Sequence, residues 1–122
     1  MKKKVLIIDD SEIMLEVLKR ILSAEPEIEV IGAAKIGSDG ITMFKESKPD
    51  IVFLEADIGD MDVMDIITEM HRIDSSARVI LCSDPTTRDK IVPASQAGTF
   101  DFINKPYIKS RVLRTIRGAK NN

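Results

Sequence analysis

The sequence predicts one α/β domain, a doubly wound sandwich of five parallel strands. Three observations carry this expectation. Short β-branched runs recur at regular spacing: VLII (5–8), IEVIGA (28–33), IVFL (51–54), RVILC (78–82) and FDFIN (100–104). Runs this apolar belong to strands buried on both faces, as in a parallel sheet. Stretches of helical period lie between them, and strict alternation of strand and helix implies right-handed crossovers. A chain of 122 residues suits a single domain over 1–122, with AKNN (119–122) as a frayed tail. Such a chain buries roughly two thirds of the surface its unfolded form exposes, so no disulfide or metal staple is needed.

The elements follow in order. Ser11 is placed to N-cap the first helix, whose apolar stripe is Ile13, Met14, Val17, Leu18, Ile21 and Leu22 and which stops before Pro26. Ile41, Met43 and Phe44 mark a second helix ending near Lys48 and Pro49, and residues 64–72 suggest a third. The third holds the only histidine, His71, with its side chain expected toward solvent. TTRDKIVPASQAG (86–98) should supply the fourth, yet Pro93 falls inside it. Proline removes a backbone donor and clashes with the preceding turn at ~3 kcal/mol, so a kinked, shortened or late-starting helix is expected. The last helix turns Ile108, Val112, Leu113 and Ile116 inward and Arg111, Arg114, Arg117 and Lys120 outward.

Composition excludes several classes of function. With 43% hydrophobic and 31% charged residues the chain reads as a soluble globular protein, and no apolar run approaches the ~20 residues that span a bilayer. The start MKKKVLIIDD reaches Asp9 after four apolar residues, too few for a signal-peptide core, so a cytoplasmic location is expected. Eighteen basic against twenty acidic residues leave a net charge of -2, which argues against nucleic acid as a direct partner. The single cysteine, Cys82, sits in an apolar run and reads as a buried, inert thiol.

In an open parallel sheet, ligands bind outside the carboxyl ends of the strands. That rule selects Asp9 and Asp10 after the first strand, Glu55 and Asp57 after the third, Ser83 and Asp84 after the fourth and Lys105 after the fifth. Carboxylates converging with a hydroxyl and an ammonium make a polar pocket whose oxygens suit a hard divalent cation such as Mg²⁺. Lys105 either neutralises an anion or pairs with the acids.

IIDDSE, PDIVFLE, VILCSD and AGTFDFINKPY, in this order and spacing over essentially the whole chain, resemble the motifs of the response-regulator receiver domain, the phosphoacceptor module of two-component signalling. The resemblance implies a flavodoxin-like sheet of strand order 2-1-3-4-5. It also implies roles by position: Asp9 and Asp10 as ligands to Mg²⁺, with Glu55 at the acceptor position and the Asp57 backbone carbonyl completing the set. Ser83 is then the switch hydroxyl, Lys105 the phosphate-binding lysine and Phe102 the aromatic switch residue. A cis Lys105-Pro106 peptide is implied as well.

The departures from that pattern are as informative. The acceptor position, an aspartate in the family, holds Glu55, whose carboxylate lies roughly 1.5 Å further out. In-line phosphoryl transfer depends on positioning, and a misplacement of about 1 Å can cost ~100-fold in rate. Gly59 and Val63 replace a stiffening proline and an exit glycine of the following loop, and Asp84 stands where a small residue keeps the pocket open to phosphate. An added carboxylate repels a phosphoryl group carrying ≈ -1.5 to -2 charges. Asp57 as a substitute acceptor lies too far into the loop.

The reading that follows is a divergent receiver acting as a phosphorylation-independent, pseudo-receiver or phosphomimetic protein-interaction module rather than an enzyme. A working Mg²⁺-dependent phosphoacceptor with altered kinetics, in a histidine-kinase phosphorelay, is the alternative. A metal-dependent hydrolase or a nucleotide-binding flavodoxin-like protein is a third, disfavoured because GxGxxG and GxxxxGK[ST] are absent. Partners are expected to be proteins, a histidine kinase or an output protein. The basic row Arg111, Arg114 and Arg117 is the candidate face for an acidic one.

Overall fold

The computed structural model describes residues 2–86, 98–99 and 101–120. The expected fourth helix with its Pro93 lies outside the described residues. The elements are β1 (Lys3–Ile8), α1 (Glu12–Ser23), β2 (Ile28–Ala34), α2 (Gly37–Ser47), β3 (Ile51–Glu55), α3 (Val63–Ile73), β4 (Arg78–Ser83), β5 (Asp101–Asn104) and α4 (Lys109–Lys120). All strand pairs are parallel, in the order β2-β1-β3-β4-β5. This is the doubly wound sheet that the alternation of runs implies, in the flavodoxin-like strand order that the receiver resemblance implies.

Side chains alternate between the two faces of a strand, and the core divides accordingly. Leu6, Ile8, Val52, Leu54, Val79 and Leu81 pack against Phe44 of α2 and Ile66, Ile67 and Met70 of α3. Val5, Ile7, Phe53, Ile80, Cys82 and Ile103 pack on the other face against Leu15, Leu18 and Leu22 of α1 and Val112, Leu113 and Ile116 of α4. α2 approaches β1 so closely that a Cβ at Gly40 would run into Ile8. Lys48 ends α2 in the left-handed region (φ 48°), its N–H donating to Phe44 O at 2.9 Å just before Pro49.

Three expectations are corrected. Ile13 is not part of an inward stripe: it is 72% exposed, and the buried residue of that turn is Leu15. α1 buries Leu15, Leu18 and Leu22, and at about 100° per residue Ile13 stands roughly 200° round from Leu15. Ile108 is 64% exposed rather than inward, because α4 begins one residue later and Ile108 precedes its buried face. His71 is half-buried, its ring lying where a Cβ on Gly98 (φ 107°) would come within 2.7 Å of it. The helical backbone of α4 runs to Lys120.

Candidate functional site

The strand ends carry the site because the ladder outruns the strands. The Asp9 N–H donates to Ala34 O at 2.9 Å and the Lys105 N–H to Ser83 O at 2.8 Å, so both residues stay extended one step past β1 and β5. Alternation then aims Asp9 with Val5 and Ile7, Glu55 with Phe53, and Lys105 with Ile103, all toward the α1 and α4 face. The three meet. Lys105 Nζ donates to Asp9 Oδ2 at 2.7 Å and to Glu55 Oε1 at 2.7 Å. Their side chains are only 8%, 2% and 7% exposed, so this is a buried ion triplet.

Both Asp9 oxygens are engaged, since Oδ1 accepts from the Ser11 N–H at 2.9 Å. Ser11 in turn N-caps α1 as expected, its hydroxyl accepting from the Met14 N–H at 3.3 Å. Glu55 differs: its Oε2 is buried with no hydrogen-bond partner. Burial pushes the Glu55 carboxyl above its ordinary pKa, more than the Lys105 ammonium pulls it back, and the Asp9 charge adds to the rise. Burial alone would lower Lys105, but its bonds to Asp9 and Glu55 together leave it above the ordinary lysine value.

Above the triplet opens a pocket of about 700 Å³. Asp10, Glu55, Asp57 and Asp84 supply its acids, Lys105 its cation, and Met14, Pro85 and Pro106 its apolar surface. The Asp84 carboxylate closes a local turn, accepting from the Thr86 N–H at 2.8 Å and its hydroxyl at 2.5 Å. Ser83 is 1% exposed and does not line the pocket; alternation places it on the opposite face of the sheet. Phe102 is on that face too, half-buried against the α2 and α3 core. The Lys105-Pro106 peptide is cis.

The remaining acids of LEADIGDMDV have structural work of their own. Asp60 reaches the start of α2, accepting from Gly37 N–H at 2.6 Å and Ser38 N–H at 3.0 Å, which holds its carboxyl below the usual aspartate value. Ile36, the residue before α2, makes no side-chain cap, so Asp60 supplies it from another loop. Gly37 lets the two approach: a Cβ there would stand 2.7 Å from Ile66 Cδ1. Asp62 caps α3, accepting from the Met64 N–H at 2.8 Å, and Val63 packs into the core at 6% exposure. Gly59 has open space where a Cβ would go. Sequence reasoning had no local signal for the Asp60 cap, whose partner lies 23 residues away.

Residues 5–117 match the family model of the response regulator receiver domain. The chain belongs to the response regulator receiver family. It is 38% identical over 116 residues to the chemotaxis protein CheY of Thermotoga maritima, covering 95% of this chain and 96% of that one. It is 35% identical over 121 residues to the chemotaxis protein CheY of Bacillus subtilis, covering 99% and 100% of the two chains. Among solved structures, the response regulator domain of Thermotoga maritima CheB is similar with a TM-score of 0.90 at 28% identity, covering 100% of this chain and 98% of that one.

Receivers generally hold Mg²⁺ at their phosphorylation site, and the donors here fit that ion only in part. Among the described residues no group of three or more carboxylates is spaced to hold a metal. Asp10 and Asp57 line the pocket, but Asp9 is bound to Lys105 and Ser11. Cys82 is buried and its thiol is pushed up to about 12 by desolvation, as an inert core group. Burial and the neighbouring Cys82 hold Tyr107 well above the ordinary phenol range. On α4, Lys109, Arg114 and Arg117 surround an open groove of about 660 Å³ with Ile108 and Leu113; Arg111 is exposed outside it. No helix among the described residues is long and apolar enough to cross a membrane.

Proposed function

We propose that this receiver works as a phosphorylation-independent protein-interaction module in two-component signalling. One observation carries the reading: Lys105 is held at 2.7 Å by both Asp9 and Glu55 in a buried triplet. The lysine that receivers use for phosphate and the residue at the acceptor position neutralise each other. Of the Glu55 oxygens, Oε1 binds Lys105 and Oε2 is shielded from solvent, so neither is presented for in-line attack on a phosphoryl donor. The longer glutamate side chain is what reaches this position. Asp84 adds negative charge at the mouth, against an incoming phosphate.

On this reading the chain is a signalling module rather than an enzyme, cytoplasmic, with a histidine kinase or an output protein as partner and no direct nucleic-acid contact. Ser83 and Phe102, on the far face from the triplet, are the residues through which the state of the pocket reaches the surface. Mg²⁺, when bound, supplies charge neutralisation among the carboxylates. Asp10 and the Asp57 carbonyl would hold it, and Asp9 joins them only after release by Lys105.

A second reading, a Mg²⁺-dependent phosphoacceptor with altered kinetics, draws on the retained Asp9, Asp10 and Lys105 around an open pocket. Incubation with acetyl phosphate and Mg²⁺ followed by intact-mass measurement separates the two. The proposal expects no adduct; a stoichiometric phosphoryl adduct on Glu55 or Asp57 supports the second reading instead.

A further inference from the structure

We propose that Asp60 is a positioning residue for the site: from the loop between β3 and α3 it ties the wall of the pocket to the first turn of α2. Residues 56–62 make that loop, and Asp57 within it lines the pocket. Three positions on, the Asp60 carboxylate accepts from the Gly37 N–H at 2.6 Å and the Ser38 N–H at 3.0 Å. Both bonds cross between elements, so the middle of the loop is fixed to wherever the start of α2 stands. This holds whether or not Glu55 takes a phosphoryl group.

A helix cap alone does not need so distant a residue. Ile36, just before α2, has the extended backbone of an N-cap residue, φ -132° and ψ 155°, and its side chain makes no capping bond. An aspartate or serine at position 36 would satisfy the first turn locally and order nothing else. The chain instead carries an apolar side chain there, 41% exposed, and takes its cap from 23 residues further on. Holding a loop against its cap costs chain entropy, and the result is a loop of fixed shape beside the pocket.

The other anchors of the loop do not set its orientation. Ala56 and Ile58 are buried and Met61 packs on the same core, but such apolar contacts are non-directional. Between Ile58 and Met61 stand Gly59, with open space where a Cβ would go, and Asp60. One carboxylate bonded to two N–H groups sets direction as well as distance, and the positive end of the helix dipole favours its charge. The tie is also closely packed: a Cβ on Gly37 would stand 2.7 Å from Ile66 Cδ1, 3.2 Å from Asp60 Oδ1 and 3.3 Å from Met61 Sδ. Loop, α2 and α3 therefore meet at one glycine, and a shift of α2 passes through Asp60 to the backbone that carries Asp57.

The test is NMR of the ¹³C,¹⁵N-labelled full chain as wild type, as Asp60→Ala, and as Asp60→Ala combined with Ile36→Asp, which gives α2 a local cap that leaves the loop untied. In both variants the backbone order parameters of Ile58, Gly59 and Met61 should fall from about 0.85 towards about 0.6, and the Asp57 amide and carbonyl signals should move. The amides of Ser38 and Asp39 in α2 should loosen in Asp60→Ala and return to wild-type order in the double variant. Recovery of the loop together with α2 in the double variant would make Asp60 a helix cap only and overturn the proposal. Wild-type order at residues 58–61, or unmoved Asp57 signals, in Asp60→Ala would overturn it as well. The amides of Leu6 and Leu81, in β1 and β4, report whether the sheet is intact. Should they change in Asp60→Ala, Asp60→Asn, which loses one acceptor oxygen and keeps the other, takes its place, and the same outcomes decide.

Discussion

Glu55 and Asp60 stand five residues apart in one acidic stretch and carry the same charge, yet the fold uses them in opposite ways. Glu55 closes β3, is almost fully buried and faces a single ammonium that it shares with Asp9. Asp60 sits exposed in the following loop and faces two backbone N–H groups at the start of α2. Burial therefore raises the pKa of the first, and hydrogen bonding lowers that of the second. An acid's role is set by the medium and the partner that the fold brings to it. The residue type alone does not decide it.

The largest way to break this contrast is to remove the shared cation. Lys105→Ala leaves Asp9 and Glu55 buried side by side without neutralisation, and should cost about 3–5 kcal/mol in urea unfolding. Adding Glu55→Gln to that variant should recover part of the loss, because one of the two stranded charges is gone. A smaller effect belongs to the loop acids: Asp62→Ala deletes the α3 cap and should cost about 1 kcal/mol.

Finer still is the pH dependence, where the two acids should differ in sign. The folded pKa of Glu55 lies above its ordinary 4.5, so as pH rises through that value the unfolded chain ionises first and the native state loses stability until the folded pKa is passed. The stability difference between wild type and Glu55→Gln should therefore fall as pH rises out of the acid range. Asp60 has a folded pKa below its ordinary 3.8, so its contribution is present above that value and lost as pH falls through the folded one. The difference between wild type and Asp60→Asn should therefore rise with pH over the same acid range, and it should be the smallest of these effects. Urea midpoints measured across pH for the three proteins check both slopes. Two slopes of the same sign would remove the contrast.

Much of this architecture is legible in the sequence, for reasons tied to particular residues. The strands announce themselves as β-branched runs, and the period of two that aims Val5, Ile7 and Asp9 to one side is the same one that aims Phe53 with Glu55 and Ile103 with Lys105. The convergence of Asp9, Glu55 and Lys105 follows from that parity once the strand order is known. Cys82 in an apolar run reads directly as core.

What the sequence hid depends on contacts distant along the chain or on a boundary. Asp60 caps a helix that begins 23 positions earlier, and no local pattern marks it. Ile13 and Ile108 carry the composition of core residues, but one points away from the buried side of α1 and the other stops short of α4. The separation of Ser83 from the pocket was equally hidden, because reading strand ends together ignores which face each side chain takes.

The central claim is that Glu55, held by Lys105, takes no phosphoryl group. Intact-mass measurement after incubation with acetyl phosphate and Mg²⁺, on wild type and Glu55→Asp side by side, tests it most directly. The shorter carboxylate withdraws roughly 1.5 Å from Lys105 and reopens the acceptor position. Wild type should remain unmodified while Glu55→Asp gains one phosphoryl group at residue 55. A stoichiometric adduct on wild-type Glu55 or Asp57 would contradict the claim.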